Sequence, residues 1–347
     1  MNNNKTREIS VSQIIIILTL FSVLNCVLFT DTEAALSNML IYLAMGTLAI
    51  SLLLIPNIFV SREKGGVIGV IKEHTKSIAL IAALLYAIYL SAVAGEYLSR
   101  FSDFAFVNYF NEGNPYICTL LLAAVCLYGA YSGEKSICRT GTLLLIYAAV
   151  LTVLLAIFSC KDIASYKPTQ VFTSDPDSSV IMGISAGAVV LCVLPNIQGG
   201  KKRLCASVYG SVAAMFAAAV ILISAVCMIL GSGRGISDYP IYDAVIYGMR
   251  DITIRCDGAF FLLWTIIAVA VISLLLSAAS GAVKTIFPKA KFIEVGVTAV
   301  AVILSLLPDA LSADSLGILN FATLFVLVFL IPLISALLSA KKALRNR

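Results

Sequence analysis

The polar side chains that fall inside long hydrophobic runs are the ones whose chemistry could bind or sense a solute. Ser22 and Asn25 lie in the first run of the chain, and Tyr86 and Tyr89 lie in the third. An asparagine inside a membrane span is costly unless it faces protein or water. The pattern therefore leaves two interpretations open for these residues, a ligand site and hydrogen bonds between helices.

A row of serines marks a second polar surface. Ser273, Ser277 and Ser280 follow one another at spacings of four and three residues, so they share one face of a helix. We expect this face to point into the helix bundle. Serine hydroxyls either line a path for a solute or bond back to carbonyls of their own helix, and the sequence does not decide between these roles.

The sixth run, "SSVIMGISAGAVVLCVLPNIQ", has small residues near its middle, among them Gly183, Ser185 and Gly187. Such a segment can interrupt a helix, and the freed backbone groups and helix dipole ends could then hold a zwitterion. Small residues also allow close packing between helices without any ligand. Both interpretations stay open at this stage.

The sequence offers no arrangement typical of an enzyme. Its single histidine, His74, lies in a basic loop, and its nine cysteines lie mostly in apolar runs, without a CxxC pair. These cysteines are interpreted as small apolar packing residues. There is no phosphate-binding Walker loop, and the basic residues are scattered over short loops. We therefore expect no catalysis, no metal or other cofactor, and no nucleic-acid partner.

Composition places the whole chain in a lipid bilayer. The 347 residues are 60% hydrophobic and 12% charged, with a mean hydropathy of +1.00, whereas soluble domains average about 25% charged residues. Residues 1–347 are therefore predicted to form one permease-like transmembrane domain. A span needs about 20 mostly apolar residues, and the runs of suitable length are 11–29, 35–60, 77–99, 115–132, 141–159, 179–198, 205–231, 258–283, 292–310 and 316–339.

The charges of the connecting loops predict the orientation of these ten spans. With the N-terminus inside, all but six of the 24 basic residues lie on the inner side; the exceptions are Arg100, Lys161, Lys167, Arg234, Arg250 and Arg255. The positive-inside rule therefore favours both termini inside and an even number of spans. The location predicted is the cell (inner) membrane, with multiple passes.

Ten spans divide into two halves of five, and because five is odd the second half starts on the opposite face of the membrane. Two halves with opposite orientations in the membrane form an inverted repeat, which is common in secondary transporters. The predicted fold class is thus an all-α integral membrane protein with ten transmembrane helices in a 5+5 inverted repeat. In such folds the first helix of each half is broken near the ligand, so spans 1 and 6 are the expected sites of a break.

The outer connection before the eighth span is unusually polar and aromatic. Read as a helix, residues 239–257 carry an apolar stripe of Ile241, Val245, Met249 and Ile252, and Pro240 suits a helix start. The segment is predicted to lie at the membrane interface, either as a lid over an outer vestibule or as a plain interfacial helix. Glu96 is predicted to be interfacial as well, and Trp264 to belong to an aromatic belt.

The same region carries a resemblance to a known family. Tyr239, Pro240 and Tyr242, then Arg255 and Asp257, then Trp264 resemble, in order and spacing, the GerAB family of endospore germination permeases. Further matches are "ISVSQ" at 9–13, "GAYSGEKSICRTG" at 129–141 and "LPNIQGGKK" at 194–202. In register, the resemblance covers nearly the whole chain.

The resemblance implies a ten-span fold of the amino acid–polyamine–organocation superfamily, shared with LeuT-like transporters. It also implies a subunit of a germinant receptor in the spore inner membrane, which senses a small nutrient such as an amino acid. Such receptors look like assemblies with a second membrane protein and a lipoprotein. We expect the residues of the outer motif, from Tyr239 to Asp257, to form the outer lid and its junction with span 8.

Three functions follow, and the receptor subunit ranks first. The second is a proton- or ion-coupled amino-acid transporter, which would favour a titratable group near the membrane midplane; apart from the peripheral Glu96, the sequence offers none. The third is a structural subunit without ligand binding. It is favoured by the absence of glycine from "SVLNCV" in span 1, where the family usually has a glycine-rich break. A second difference from the family lies in span 6, where Ala188 follows Gly187 and many members carry an acidic residue.

Overall fold

The fold is built almost entirely from helices. The computed structural model describes residues 9–29, 36–60, 66–110, 114–159, 178–194, 201–230, 239–248, 257–306 and 322–345. Its α-helices are α1 Val11–Phe29, α2 Leu36–Leu53, α3 Ile55–Val60, α4 Gly66–His74, α5 Lys76–Ala105, α6 Pro115–Ser132, α7 Glu134–Ser159, α8 Ser178–Val193, α9 Lys201–Leu230, α10 Pro240–Gly248, α11 Asp257–Ile286, α12 Ile293–Ser305 and α13 Ile331–Arg345. Two π-helical segments, Phe106–Phe110 and Phe325–Leu330, continue α5 and precede α13.

Each of the ten predicted runs contains a helix. Within the described part of the chain, seven helical segments are long and apolar enough to cross a membrane, and α12 is a shorter apolar helix. Their outward-facing Leu, Ile, Val and Phe side chains are exposed, as expected where lipid is the solvent. The chain is an α-helical, multi-pass membrane protein.

Two spans differ from their predicted bounds. The predicted span 35–60 is divided at Leu54 into α2 and α3, because Pro56 lacks the backbone N–H that would continue the hydrogen bonds of α2. The predicted span 77–99 extends to Ala105 in α5. The charged residues Glu96 and Arg100 both lie inside the helix, where they pair with each other: Arg100 Nε lies 3.1 Å from Glu96 Oε1, one helical turn away.

Local signals account for the bounds of α6, which match the predicted span 115–132. The side chain of Asn114 accepts a hydrogen bond from the backbone N–H of Tyr116, and Pro115 occupies the first helical position. Gly133, at a φ of 82°, ends the helix in a conformation that side chains rarely adopt. This single residue joins α6 to α7.

Glycines set the closest approaches between helices. A β-carbon placed on Gly95 of α5 would lie 2.6 Å from the carbonyl oxygen of Ala301 in α12. One placed on Gly129 of α6 would lie 2.3 Å from the hydroxyl of Ser273 in α11. Both helix pairs therefore pack at distances that only glycine permits.

The packing has a regular pattern. The long helices α5 and α11 pack against each other; α5 also contacts α12, and α11 contacts α6. Two nine-residue helices precede two of the longest helices: α4 comes before α5, and α10 comes before α11. Helix α4, which the sequence did not lead us to expect, packs on α5 and α13, while α10 packs on α9.

Candidate ligand-binding site between the central helices

Three tyrosines lie along α5 in the centre of the molecule. Tyr86, Tyr89 and Tyr97 are all buried, and α5 contacts both α1 and α8. The hydroxyl of Tyr86 donates to the carbonyl oxygen of Leu327 at 2.5 Å. That carbonyl lies in the π-helical segment before α13, a type of helix distortion that is frequent at functional sites.

The two polar residues of α1 bond to neighbouring helices. Ser22 Oγ donates to the carbonyl oxygen of Met215 in α9 at 2.7 Å. Asn25 Oδ1 accepts a hydrogen bond from the hydroxyl of Tyr97 at 3.3 Å. The geometry thus places both side chains in contacts between helices, and a ligand-binding role for Ser22 and Asn25 stays a prediction.

Of the two interpretations left open for the sixth span, the described residues agree with close packing and not with an interruption: α8 continues without a break from Ser178 to Val193. A β-carbon on Gly187 would lie 2.7 Å from Cε of Met215 and 3.5 Å from a methyl of Leu18. Because Gly187 has no side chain, α9 and α1 can pack closely against α8. The unbroken helix also keeps the backbone hydrogen bonds that are expensive to lose in lipid. Ser185 is buried, and Gly183 lies in the first turns of α8, where only the backbone is described.

The first span is likewise unbroken, since α1 is one helix from Val11 to Phe29. The sequence "SVLNCV" contains no glycine to favour a break, and the side chains of Ser22 and Asn25 are used for contacts with other helices. The expectation of a break in spans 1 and 6 is therefore wrong for this structure.

The serine face of α11 points into the bundle, as predicted, and Ser273, Ser277 and Ser280 are all buried. Ser273 Oγ donates to the carbonyl oxygen of Cys126 in α6 at 3.1 Å. Ser280 Oγ donates to the carbonyl oxygen of Ser277 at 2.9 Å. Both observed bonds go to backbone carbonyls, and a solute-lining role for Ser273 and Ser277 stays untested.

Aromatic side chains gather at the outer end of α5. Phe104 is fully buried, and its ring meets those of Tyr239, Tyr242 and Trp264 at centroid distances of 5.0, 5.5 and 5.7 Å. We call this group, with Tyr109 and Phe261, the aromatic cluster. It joins α5, the outer helix α10 and the start of α11.

Trp264 corrects one expectation. It was predicted to belong to an aromatic belt at the membrane surface, but it is buried and packs against Phe104 and Tyr242. Its position in a hydrophobic run did not reveal that its ring faces the protein. Glu96 is partly exposed and its carboxylate pairs with Arg100, and its position at the membrane interface stays a prediction.

The outer segment is helical over Pro240–Gly248, and Pro240 starts the helix as predicted. Ile241 and Val245 of the predicted stripe are buried, whereas Ile246, the residue after Val245, is exposed. The hydroxyl of Tyr242 donates to that of Tyr109 at 3.0 Å, which ties α10 to the π-helical end of α5. Met249, Ile252 and Arg255 lie outside the described residues, and for Asp257, which begins α11, only the backbone is described.

A small cavity of about 40 Å³ lies beneath α10. Five helices, α1, α7, α9, α10 and α11, contribute its walls. Every lining residue is apolar or aromatic: Val23, Val27, Ala148, Leu222, Ala225, Val226, Ile241, Ala244, Val245, Phe260, Leu263 and Trp264. The inner face of the outer helix is thus the roof of an apolar space.

Polar contacts hold together the end of the bundle where α3, α4 and the C-terminal end of α11 lie. Asn57 Nδ2 in α3 donates to the carbonyl oxygen of Leu191, close to the end of α8, at 3.1 Å. Lys72 Nζ in α4 donates to the carbonyl oxygen of Thr285 at 2.5 Å, where a positive charge suits the C-terminal end of α11. Lys284 at the end of α11 pairs with the buried Glu294 of α12.

Sequence reasoning missed several residues of these sites, chiefly Tyr97, Met215, Phe104, Tyr109 and Asn57. A signal existed for Tyr97, which is three helical turns after Tyr86 and therefore on the same face of α5. Phe104 and Tyr109 fall beyond the predicted end of the third span, so the hydropathy pattern treated them as loop. No local signal distinguishes Met215 from other apolar residues of its run.

Comparison with known proteins finds likeness in structure alone. No protein-family model matches this chain, and no curated protein matches its sequence. A structure of Mhp1, a nucleobase-cation-symport-1 family transporter, in a closed conformation with bromovinylhydantoin bound, is similar with a TM-score of 0.60 and 13% identity over 98% of this chain and 92% of that chain. An inward-facing conformation of Mhp1 is similar with a TM-score of 0.58 and 12% identity over 94% and 79%.

This likeness extends over almost the entire chain, but the sequences have diverged too far for it to carry more than the fold. The fold is that of the LeuT-like transporters, which the sequence resemblance had implied. The chain is therefore a multi-pass helical membrane protein with a LeuT-like transporter fold.

Proposed function

We propose that this chain crosses the membrane ten times as a 5+5 inverted repeat with both termini inside. The packing pattern supports the repeat. Span 3 (α5) meets span 9 (α12) at Gly95, and span 8 (α11) meets span 4 (α6) at Gly129. These two contacts are equivalent if spans 1–5 and 6–10 are repeats. The nine-residue helices α4 and α10 precede the third and eighth spans, which are equivalent positions in the two halves.

The function that the geometry supports best is that of a permease-like receptor subunit in the cell membrane, which binds a small nutrient, such as an amino acid, and responds by a change in conformation. One observation carries the proposal. Tyr239, Tyr242 and Trp264, which carry the resemblance to the germination permeases, converge on Phe104 and join the outer helix to α5 and α11. These three residues of the motif thus pack together around one ring.

The contacts that hold α10 have stabilisation energies of the size that a conformational sensor requires. Aromatic pairs contribute about 0.5–1.5 kcal/mol each beyond their buried area, so the few pairs that hold α10 sum to a few kcal/mol. Coupling between a ligand and a conformational change is of similar size, ~1–3 kcal/mol. A nutrient that binds better with α10 docked than undocked, or the reverse, would therefore shift the equilibrium without flux of solute.

Two other functions have specific support. Transport of an amino acid is favoured by the likeness in fold to a solute transporter. A structural role without ligand binding is favoured by the engaged side chains of Ser22 and Asn25 and by the close packing at Gly187. In the receptor and structural proposals, the partners are a second membrane subunit and a lipoprotein, and the compartment is the spore inner membrane.

A binding screen with a flux assay separates the three. Purified protein is tested for binding of amino acids and nucleosides, and each binder is then tested for uptake into proteoliposomes. Saturable binding without uptake supports the receptor, binding with uptake supports the transporter, and no binding supports the structural role. In a spore-forming host, loss of the gene should abolish the germination response to the nutrient that binds; an unchanged response would contradict the receptor proposal.

A further inference from the structure

The cavity beneath α10 is partly open and is lined by apolar and aromatic side chains. Its roof is Val245 of α10, and its walls include Val23 of α1, Ala225 of α9 and Trp264 of α11. We infer that this cavity binds a short branched aliphatic group of about three carbon atoms. The inference is independent of whether the chain acts as a receptor, a transporter or a structural subunit.

The lining determines the class of group that fits. Apolar cavities in proteins stay dry and bind apolar molecules, whereas water requires several polar partners. Every residue that lines this cavity is apolar or aromatic. An ammonium or carboxylate group would lose its hydration there without compensation, so the cavity excludes the charged part of any ligand.

The volume determines the size of the group. About 10–15 Å³, measured with a water-sized probe, is needed for one water molecule. A cavity of about 40 Å³ is well below the ~150 Å³ that holds benzene in a protein core, so it accepts a group of about two to three heavy atoms, no larger than an isopropyl group. Each methylene buried in such a space contributes ~0.8 kcal/mol, which strengthens binding about fourfold.

Two sources could supply such a group. One is the side chain of a solute that enters beneath α10 from the outer side, and the other is a small apolar molecule dissolved in the bilayer. The protein contains a suitable reporter for both, because Trp264 lines the cavity and is the sole tryptophan of the chain.

The test uses bromoethane, a three-heavy-atom apolar probe whose bromine quenches indole fluorescence. It is titrated into the full-length protein in lipid nanodiscs. The filled variant is Ala225→Leu, which places a larger side chain in the cavity. The matched control is Ala217→Leu, the same change at an exposed position of the same helix.

We expect saturable quenching of Trp264 in the native protein and in Ala217→Leu, and only a linear, non-saturating component in Ala225→Leu. Bromomethane should bind about fourfold more weakly than bromoethane, because it lacks one methylene, and 1-bromobutane should show no saturable component. Linear quenching in the native protein, or identical saturation in Ala225→Leu, would overturn the inference.

Competition distinguishes the two sources of the group. Relief of bromoethane quenching by valine, which carries an isopropyl group on a zwitterion, supports a solute side chain as the occupant. Relief by 2-methylpropane but not by valine supports an apolar molecule from the bilayer. If neither compound relieves saturable quenching, the cavity does not accept a branched group, and the inference is wrong in its ligand class.

Discussion

Gly187 and Phe104 affect the packing of this protein in opposite ways, Gly187 by having no side chain and Phe104 by having a large one. Gly187 leaves space that Met215 of α9 occupies, so any added side chain collides with it. Phe104 fills space completely and contacts rings from α10 and α11. Neither role needs a ligand, and both can be tested by changes of size.

Gly187→Leu is expected to lower the amount of folded protein in the membrane, because its side chain would enter the volume of Met215 and Leu18. Overpacking of this kind costs about 1–3 kcal/mol, occasionally more. Membrane-fraction yield and thermal midpoint measure the effect. Gly296→Leu is the control, since no atom lies within 4 Å of a β-carbon there. Normal yield with lost ligand binding would instead favour a ligand-lining role for the segment.

Phe104→Ala is expected to destabilise the protein by about 3–5 kcal/mol, as for other fully buried phenylalanines, and to loosen α10. The thermal midpoint of purified protein reports the first effect, and a red shift of Trp264 emission reports the second. Phe110→Ala, at a position 54% exposed, serves as the comparison and should change little. Equal effects of the two substitutions would show that the cluster does not hold the outer helix.

At the level of elements, α10 is the helix whose docking the proposed function depends on. It is a short helix, held by the buried Ile241 and Val245, by ring contacts to Phe104 and by the bond from Tyr242 to Tyr109. An Arg255–Asp257 ion pair near its junction with α11 would add only ~0–1 kcal/mol. The apolar face of α10 therefore decides whether it docks.

Val245→Asp should undock α10, because it removes an apolar contact worth ~1.5–3 kcal/mol and places a carboxylate in an apolar cavity. Trp264 emission should shift to longer wavelength, and nutrient binding or uptake should fall far more than in Asp257→Asn. Ile246→Asp, at the neighbouring exposed position, is the matched control. If Val245→Asp behaves like Ile246→Asp in both measurements, α10 is a connector and not a lid.

At the level of the whole molecule, the placement of charge and the packing of the two halves bear on the proposed topology. Basic residues concentrate in the connections assigned to the inner side, and among the described residues Lys72 and Lys284 make polar contacts at the C-terminal end of α11. An inward bias of Lys and Arg is what orients membrane spans during insertion. The ten-span proposal therefore predicts on which side of the membrane each connecting loop lies.

Single-cysteine labelling tests this statement. On a background without the nine native cysteines, Gln170→Cys should react with an impermeant maleimide in intact cells. Lys202→Cys should react only after permeabilisation, because the connection between spans 6 and 7 is predicted to be inside. The reverse pattern would contradict the orientation, and labelling of both positions from outside would contradict the crossing of span 6.

The sequence by itself determined the features that depend on local composition. Hydrophobic runs of span length predicted a multi-pass helical membrane protein, the pattern of 115–132 predicted the bounds of α6, and Pro240 with its apolar stripe predicted α10. These predictions succeed because a bilayer requires each segment to satisfy its own backbone hydrogen bonds within a helix. The outcome therefore depends on residues that are neighbours in the chain.

Only the tertiary structure decided which polar and aromatic side chains meet. Ser22 bonds to a carbonyl 193 residues away and Asn25 to a tyrosine 72 residues away, and neither partner can be read from periodicity. The same applies to the unbroken α8, whose small residues fit interruption and packing equally well until Met215 lies against Gly187. It applies again to Trp264, which faces Phe104 and the cavity because five helices converge there, a result of long-range packing and not of local pattern.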